Sequence, residues 1–199
     1  MKLVAATFNR HKVEEISAIL APLGLSVQSL AEYTDKQPVE DGDSFEANAL
    51  IKARYGYQLT GLPTIADDSG LEVDALSGAP GVHSARFAGE NASDDDNNRK
   101  LLTLLADVPR SERKARFRCA IALVSGDDIL TAEGSCEGEI LTSPQGSGGF
   151  GYDPLFWLPQ EGKSMAELPP EHKNQVSHRA RALAELARVL KSRGWGQSR

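Results

Sequence analysis

Apolar positions recur along the chain at two different periods. Leu3 to Ala6 and Pro63 to Ala66 are short unbroken apolar runs that read as buried strands, with a further strand at Leu25 to Leu30 between them. Val13, Ile16, Ile19, Leu20 and Leu23 fall on one helical stripe, and Gly24 ends it. The polar stretch Ala31 to Gly42 reads as loop. Asp43 or Ser44 then caps a helix to about Leu59, with Phe45, Ala49, Leu50 and Ala53 inward. The strand at Pro63 ends at Asp67-Asp68-Ser69-Gly70. After a glycine-rich connection from Ser77 to Asn91, Ser93 caps a helix whose first turn, Asp94-Asp95-Asp96, complements the helix dipole. Residues 115–125 and 128–142 alternate like two long strands joined at Gly126-Asp127-Asp128. A glycine loop at 146–151 leads to a short strand from Pro154 to Leu158. Val176, Ala180, Leu183, Ala187 and Leu190 give a last helix, about Ser177 to Lys191, one buried face.

Length and charge narrow this picture. The 199 residues suit one globular domain over 1–199, with room for two lobes around a cleft and a loose tail at 195–199. A formal net charge of -6 repels nucleic acid backbones, so no nucleic acid partner is expected. A few cations converging in a pocket, helped by a divalent ion, still suit a small anionic substrate. No apolar run approaches the roughly 18 residues of a membrane helix, and the first residues turn polar too soon for a signal-peptide core. Cys119 and Cys136 have neither metal-ligand spacing nor a disulfide framework, and read as small half-buried residues in strands. A cytoplasmic location is the expectation these absences leave.

Three motif matches fail on context. Gly146-Ser147-Gly148-Gly149-Phe150-Gly151 fits the dinucleotide fingerprint, but a helix must start at those glycines and Pro154 follows at once. Gly162-Lys163-Ser164 resembles the end of a phosphate-binding P-loop, but Trp157 stands where its first glycine belongs. Ser69 and His178 could be combined with an aspartate as a nucleophilic triad, but neither Ser69 nor Ser147 lies in a G-x-S-x-G turn.

The residues that could carry chemistry each have a structural alternative. Asp67 and Asp68 are adjacent on an extended backbone and so point to different sides: one can face a metal or water while the other anchors the turn. An Asx-type turn before Ser69-Gly70 explains the pair equally simply. Thr7 to Lys12 link a strand to a helix, where open backbone N–H groups and the Lys12 charge favour phosphate; a polar loop with a capping Asn9 is the alternative. Glu40 by itself reads as a solvated charge. Phe150 or Tyr152, beside Gly151 and Asp153, could stack on a base or enter the core. Lys173, His178 and Arg179 gather near the start of the last helix, where cations oppose the dipole; an acceptor-rich ligand or chance accounts for them.

Read together, these segments resemble the ITP/XTP pyrophosphatases, the HAM1-like family of non-standard purine nucleotide pyrophosphatases. The family pattern T-G-N-x-x-K appears as Thr7-Phe8-Asn9-Arg10-His11-Lys12, and E-x-G-x-[ST]-F-x-x-N-A as Glu40 to Ala49. A-D-D-S-G-L is Ala66 to Leu71, G-A-P-G-x-x-S-A-R is Gly78 to Arg86, G-G-F-G-Y-D-P is Gly148 to Pro154, and S-H-R is Ser177 to Arg179. One departure is Phe8, which replaces the family's usual glycine and puts the shape of that loop in question. The Phe-Gly-Tyr-Asp and Ser-His-Arg blocks speak against a related pyrophosphatase for modified pyrimidine nucleotides, and the acidic residues against a module that binds without cleaving.

The resemblance implies an α/β fold, a long mixed sheet flanked by helices that forms two lobes around a central active-site cleft, in a homodimer. It implies Mg²⁺-dependent hydrolysis of ITP, dITP and XTP to the monophosphate and pyrophosphate. It assigns Glu40 and Asp68 to the metal, with Asp68 also taking the proton of the attacking water and Asp67 in support. Thr7 to Lys12 would hold the triphosphate, with Ser69 beside it. Phe150 would stack on the base within the Phe150-Gly151-Tyr152-Asp153 segment, and Asp153, Lys173, His178 and Arg179 would read its edge. Arg179 and a protonated His178 are donors that suit the 6-oxo group of hypoxanthine or xanthine and oppose the amino group of adenine. Guanine shares that oxo group, so its rejection needs something else.

Overall fold

The computed structural model describes residues 1–195. Seven strands are hydrogen-bonded in the order β2-β1-β3-β4-β5-β6-β7. They are β1 (Lys2–Ala5), β2 (Ser26–Ser29), β3 (Thr64–Val73), β4 (Lys114–Ser125), β5 (Asp128–Ile140), β6 (Phe156–Leu158) and β7 (Lys163–Ser164). The helices are α1 (Arg10–Leu20), α2 (Phe45–Thr60), α3 (Asp94–Leu104), α4 (Pro170–Val176) and α5 (His178–Ser192). β1 runs parallel to β2 and β3, whereas β6 is antiparallel to β5 and β7, so the sheet is mixed. The long mixed sheet flanked by helices that the resemblance implies is therefore observed.

The chain divides into two compact units. One comprises Met1–Asp68, Cys119–Gly134 and the chain from His178 onward; the other comprises Ser69–Arg118 and Ser135–Ser177. In the first unit, the period-2 alternation of the strands sorts side chains onto two faces. Leu3, Ala5, Ile65, Cys119, Ile121 and Leu123 pack with Ile16 and Leu20 of α1 and with Leu183, Leu186 and Leu190 of α5. Their neighbours Val4, Ala6, Ala66, Ala122 and Val124 pack against Ala49 and Ala53 of α2. The second unit gathers Leu71, Val73, Ala115, Phe117, Cys136 and Ile140 around Leu101 of α3 and Leu105 just after it, together with Leu155 and Phe156.

The helix ends follow local chemistry. Ser44 caps α2, and Ser93 forms a capping box with Asp96 at the start of α3. The two cysteines lie in β4 and β5 as expected, but are fully buried rather than half-buried, because each faces a core cluster. The glycine-rich segment 146–151 runs into a 3-10 turn and then β6, and Gly162-Lys163-Ser164 runs into β7, so neither starts the helix its motif requires. Trp195 departs from the expected loose tail: it is half-buried, packs on the first core, and its N–H bonds to the Leu190 carbonyl at 3.0 Å. Residues 196–199 lie outside the described residues. Among the described residues, no helix is long and apolar enough to cross a membrane.

Candidate active site

The strand at Asp67 and Asp68 does not end there. β3 continues through Ser69 and Gly70 to Val73, because Leu71 and Val73 resume the buried alternation beyond the polar residues. The turn that Ser69-Gly70 suggests is overridden by tertiary packing. The two carboxylates thus lie within a strand, each in direct contact with different cations.

Asp67 is 1% exposed. Its Oδ2 accepts from Arg179 Nε at 3.0 Å and Nη2 at 2.8 Å, and its Oδ1 lies 3.2 Å from Lys12 Nζ. Arg179 is equally buried and also bonds to Glu15 of α1. Burial alone would raise the Asp67 pKa. The charges of Arg179, Lys12 and Lys52 outweigh it and hold the carboxyl well below its usual range. Burial would likewise lower the Arg179 pKa, but Asp67 and Glu15 raise it. The Cys119 thiol, 4.0 Å from Asp67 Oδ2, is pushed up to about 12, first by burial and then by that charge, which makes it an inert thiol.

Asp68 has different neighbours. Its Oδ1 accepts from Lys52 Nζ at 2.7 Å, and its Oδ2 from Asn48 Nδ2 at 3.3 Å. The same Lys52 ammonium reaches Glu40 Oε2 at 3.0 Å. Asn48 Oδ1 in turn accepts the Gly42 N–H at 2.9 Å, which ties the segment carrying Glu40 to α2. Burial raises the Asp68 pKa, Lys52 and Lys12 oppose that, and Glu40 adds to it; the net direction is upward. For Lys52, burial lowers the pKa, but Asp68, Glu40 and Asp67 together raise it. Two adjacent residues on alternate faces of one strand therefore have carboxyl groups shifted in opposite directions.

The segment from Thr7 to Lys12 is internally bonded. Thr7 Oγ1 accepts the Asn9 N–H, and Asn9 Oδ1 accepts those of His11 and Lys12, so Asn9 is the cap of α1. The open donors expected from the sequence are thus largely occupied: of this segment's amides, those of Phe8 and Arg10 stay outside the scheme. Phe8 packs on the core cluster beside α2, and the only non-glycine residue with a positive φ among the described residues is Ser77. The backbone at Phe8 accordingly needs no glycine. The Arg10 side chain pairs with Glu14 and is largely exposed, as is His11, whereas Lys12 turns in towards Asp67.

In the second unit, Asp153 organises the glycine loop. Its buried Oδ2 accepts the Phe150 N–H at 3.0 Å and Lys173 Nζ at 2.7 Å, and that ammonium sits 4.7 Å from the centre of the Phe150 ring. Tyr152 is buried, and its hydroxyl donates to the Ser84 carbonyl at 2.7 Å. Of the two aromatic candidates, Tyr152 is therefore the core residue, and Phe150, half-buried, is the one with an accessible part. Gly149 has φ +71°, and a Cβ there would lie 2.0 Å from Asp153 Oδ2. Gly149→Ala is expected to break the Asp153 contacts and cost about 1–3 kcal/mol by overpacking. At roughly 2–4 °C per kcal/mol for a chain of this size, thermal melting reads the loss.

Ser69 is half-buried on β3, and His178 is buried at the first position of α5. The structure gathers Lys12, Asp67 and Arg179 in one network, Glu40 and Asp68 around Lys52 in a second, and Phe150, Asp153 and Lys173 in a third. Sequence reasoning placed Arg179 among the groups that read a base; here its guanidinium is bound to Asp67 and Glu15. Reasoning from sequence missed Lys52, Asn48 and Glu15. A signal for two of them existed: Asn48 and Lys52 share a helical face with Ala49, Ala53 and Gly56, all buried, and polar residues within a stripe of small ones invite a reason.

The donor set suits a divalent cation. Glu40 and Asp68 converge on a single positive charge, the Lys52 ammonium. Among the described residues, no group of three or more His, Cys, Asp or Glu side chains forms a cage. Mg²⁺ needs none, since it is commonly held by one or two carboxylates, water and substrate phosphates.

The chain is similar to known proteins over nearly its whole length. A protein called dITP/XTP pyrophosphatase from Geobacter sulfurreducens is 56% identical over 196 residues, covering 98% of this chain and 97% of its own. One of the same name from Vibrio cholerae is 51% identical over 192 residues, covering 95% and 96%. The solved structure of a HAM1 protein from Coxiella burnetii superposes with a TM-score of 0.87 at 42% identity, covering 96% of this chain and 99% of that one. The Ham1 family model matches residues 3–189, and with it the chain belongs to the Ham1 family.

Proposed function

We propose that this chain hydrolyses ITP, dITP and XTP between the α- and β-phosphates, releasing the nucleoside monophosphate and pyrophosphate, with Mg²⁺ as cofactor. The observation that carries this reading is the pair Asp67–Asp68: adjacent, buried, and matched to different cations on opposite faces of β3. Sites that separate the roles of two carboxylates do so by pushing their pKa values apart. Asp67, held ionised by Arg179 and Lys12, is an anchor. Asp68, whose pKa is raised, is the better base for the attacking water. Glu40 and Asp68 are the residues that would hold Mg²⁺. When bound, that ion withdraws charge from the leaving pyrophosphate and lowers the pKa of coordinated water.

Thr7 to Lys12 are the triphosphate contacts in this reading, and Ser69 lies beside the substrate. Phe150 stacks on the base, and Asp153 and Lys173 hold that ring; Arg179, bound to Asp67 and Glu15, is an anchor for Asp67. The chain acts on free nucleotides in the cytoplasm as a homodimer, in keeping with the family resemblance. A panel of ITP, dITP, XTP, GTP, ATP and UTP assayed for pyrophosphate, with Mg²⁺ and with a chelator, tests the proposal. Turnover is expected for the first three alone, and to stop with the chelator. Equal turnover of UTP, or release of orthophosphate in place of pyrophosphate, would overturn it.

A further inference from the structure

Gly151 lies between Phe150 and Tyr152, and both of its backbone polar groups are held by one helix. Its N–H donates to Asp94 Oδ2 at 2.7 Å, and its carbonyl accepts from Asn98 Nδ2 at 2.9 Å. Asp94 and Asn98 are four residues apart on α3 and so share a face. Asp94 is not needed as the cap of α3. Ser93 Oγ accepts the Asp96 N–H at 3.1 Å, and Asp96 Oδ2 accepts the Ser93 N–H at 3.0 Å. The Asp94 carboxylate is thus available to the loop, where an ionised acceptor makes a stronger bond than a neutral one.

The conformation at Gly151 explains why a clamp is useful. Its φ is +63°, yet a Cβ there would meet nothing within 4 Å. The glycine is required by backbone conformation, not by space, and a glycine samples many alternatives unless something fixes it. On the other side of Phe150, its own N–H is fixed by Asp153, and the Gly148 N–H bonds to the Ala166 carbonyl at 3.0 Å. Phe150 is therefore restrained from both flanks, and α3 supplies the restraint on the C-terminal flank.

We infer that Asp94 and Asn98 are positioning residues for base recognition: they lock the Gly151 backbone and so set the orientation of the Phe150 ring. This rests on the proposal that Phe150 stacks on the base. The phosphate and metal residues are on other elements, so loosening the clamp weakens base binding and selectivity while leaving the chemical step intact. An ordinary helix-stabilising role for Asp94 would not separate the two.

The test compares Asp94→Ala, Asp94→Asn and Asn98→Leu in the full chain, with kcat and KM for ITP and GTP, and amide hydrogen exchange of residues 148–152. For Asp94→Ala, KM for ITP is expected to rise about tenfold with kcat within about twofold, the pattern of lost binding common to ground and transition states. Turnover of GTP relative to ITP rises, and the loop amides exchange faster. Asp94→Asn keeps an acceptor oxygen for the same N–H and recovers most of the loss; Asn98→Leu follows Asp94→Ala. Unchanged KM and exchange in Asp94→Ala, or a fall confined to kcat or melting temperature, overturns the inference. Failure of the wild-type protein to prefer ITP would instead reject the proposed function, while the exchange data would still report on the clamp.

Discussion

Asp68→Asn should lower kcat for ITP by about 10²–10⁴-fold, the usual worth of a positioned general base, while ITP still binds. The substitution is nearly isosteric. The amide oxygen can keep the contact with Lys52, while the new amide nitrogen meets the Asn48 donor, so the second network loses one bond and keeps its ion-facing one. What disappears is the charge and the ability to take a proton. Asp68 rather than Asp67 is the sensitive position because their surroundings differ. Burial and Glu40 raise the Asp68 pKa against the opposing lysines, whereas Arg179 and Lys12 keep the proton off Asp67. Pyrophosphate release at saturating ITP and Mg²⁺ measures the rate, and calorimetry with ITP measures the binding. Full turnover by the variant would remove Asp68 from the chemistry. A loss of binding as large as the loss of rate would make it only a ligand-holding group.

Much of the fold was legible in the sequence because the units follow simple periodicities. Leu3 to Ala5 lie in a strand, and Val13 to Leu20 in a helix, for reasons visible in a window of a dozen residues, although Leu23 of the same stripe falls in a 3-10 turn after α1. The departures are at places decided by distant contacts. Ser69-Gly70 has the local chemistry of a turn, but Leu71 and Val73 are buried and draw the strand on. The short helix α4 and the two-residue strand β7 are too brief to show a period. Trp195 falls among polar and glycine residues that suggest a tail, yet it packs against the first core. In the site, residue types in ordered blocks pointed to Glu40, Asp68, Phe150 and Asp153. Partnership was not legible. Nothing in the spacing says that Lys52 bridges Glu40 and Asp68, or that Arg179 meets Asp67 across 112 residues of sequence. The Asp94 run, read from sequence as complementing a helix dipole, begins α3 as expected; its bond to Gly151 required coordinates.

Arg179→Ala is expected to have the largest effect on stability, about 3–5 kcal/mol, the range for removing one partner of a buried ion pair. Arg179 is fully buried, and its guanidinium joins two carboxylates from separate elements, Asp67 on β3 and Glu15 on α1. Deleting it leaves Asp67 with Lys12 as its remaining cation at 3.2 Å, and opens a cavity between α1, α5 and the sheet. Urea unfolding in chelator, free of metal effects, measures the loss. The pH dependence supplies a sign. The Asp67 pKa lies below its unfolded value of about 3.9, so its contribution is fully present above that pH and is lost as pH falls further. The wild-type protein should therefore lose stability below about pH 4, and the variant should lose less over the same interval, having less of that contribution to lose. Asp67→Asn in the Arg179→Ala background separates charge from packing: it relieves the uncompensated carboxylate and should recover part of the stability. An Arg179→Ala protein as stable as the wild type, with only its ratio of ATP to ITP turnover altered, would show that the guanidinium serves the base and that its bonds to Asp67 and Glu15 contribute nothing to holding the fold.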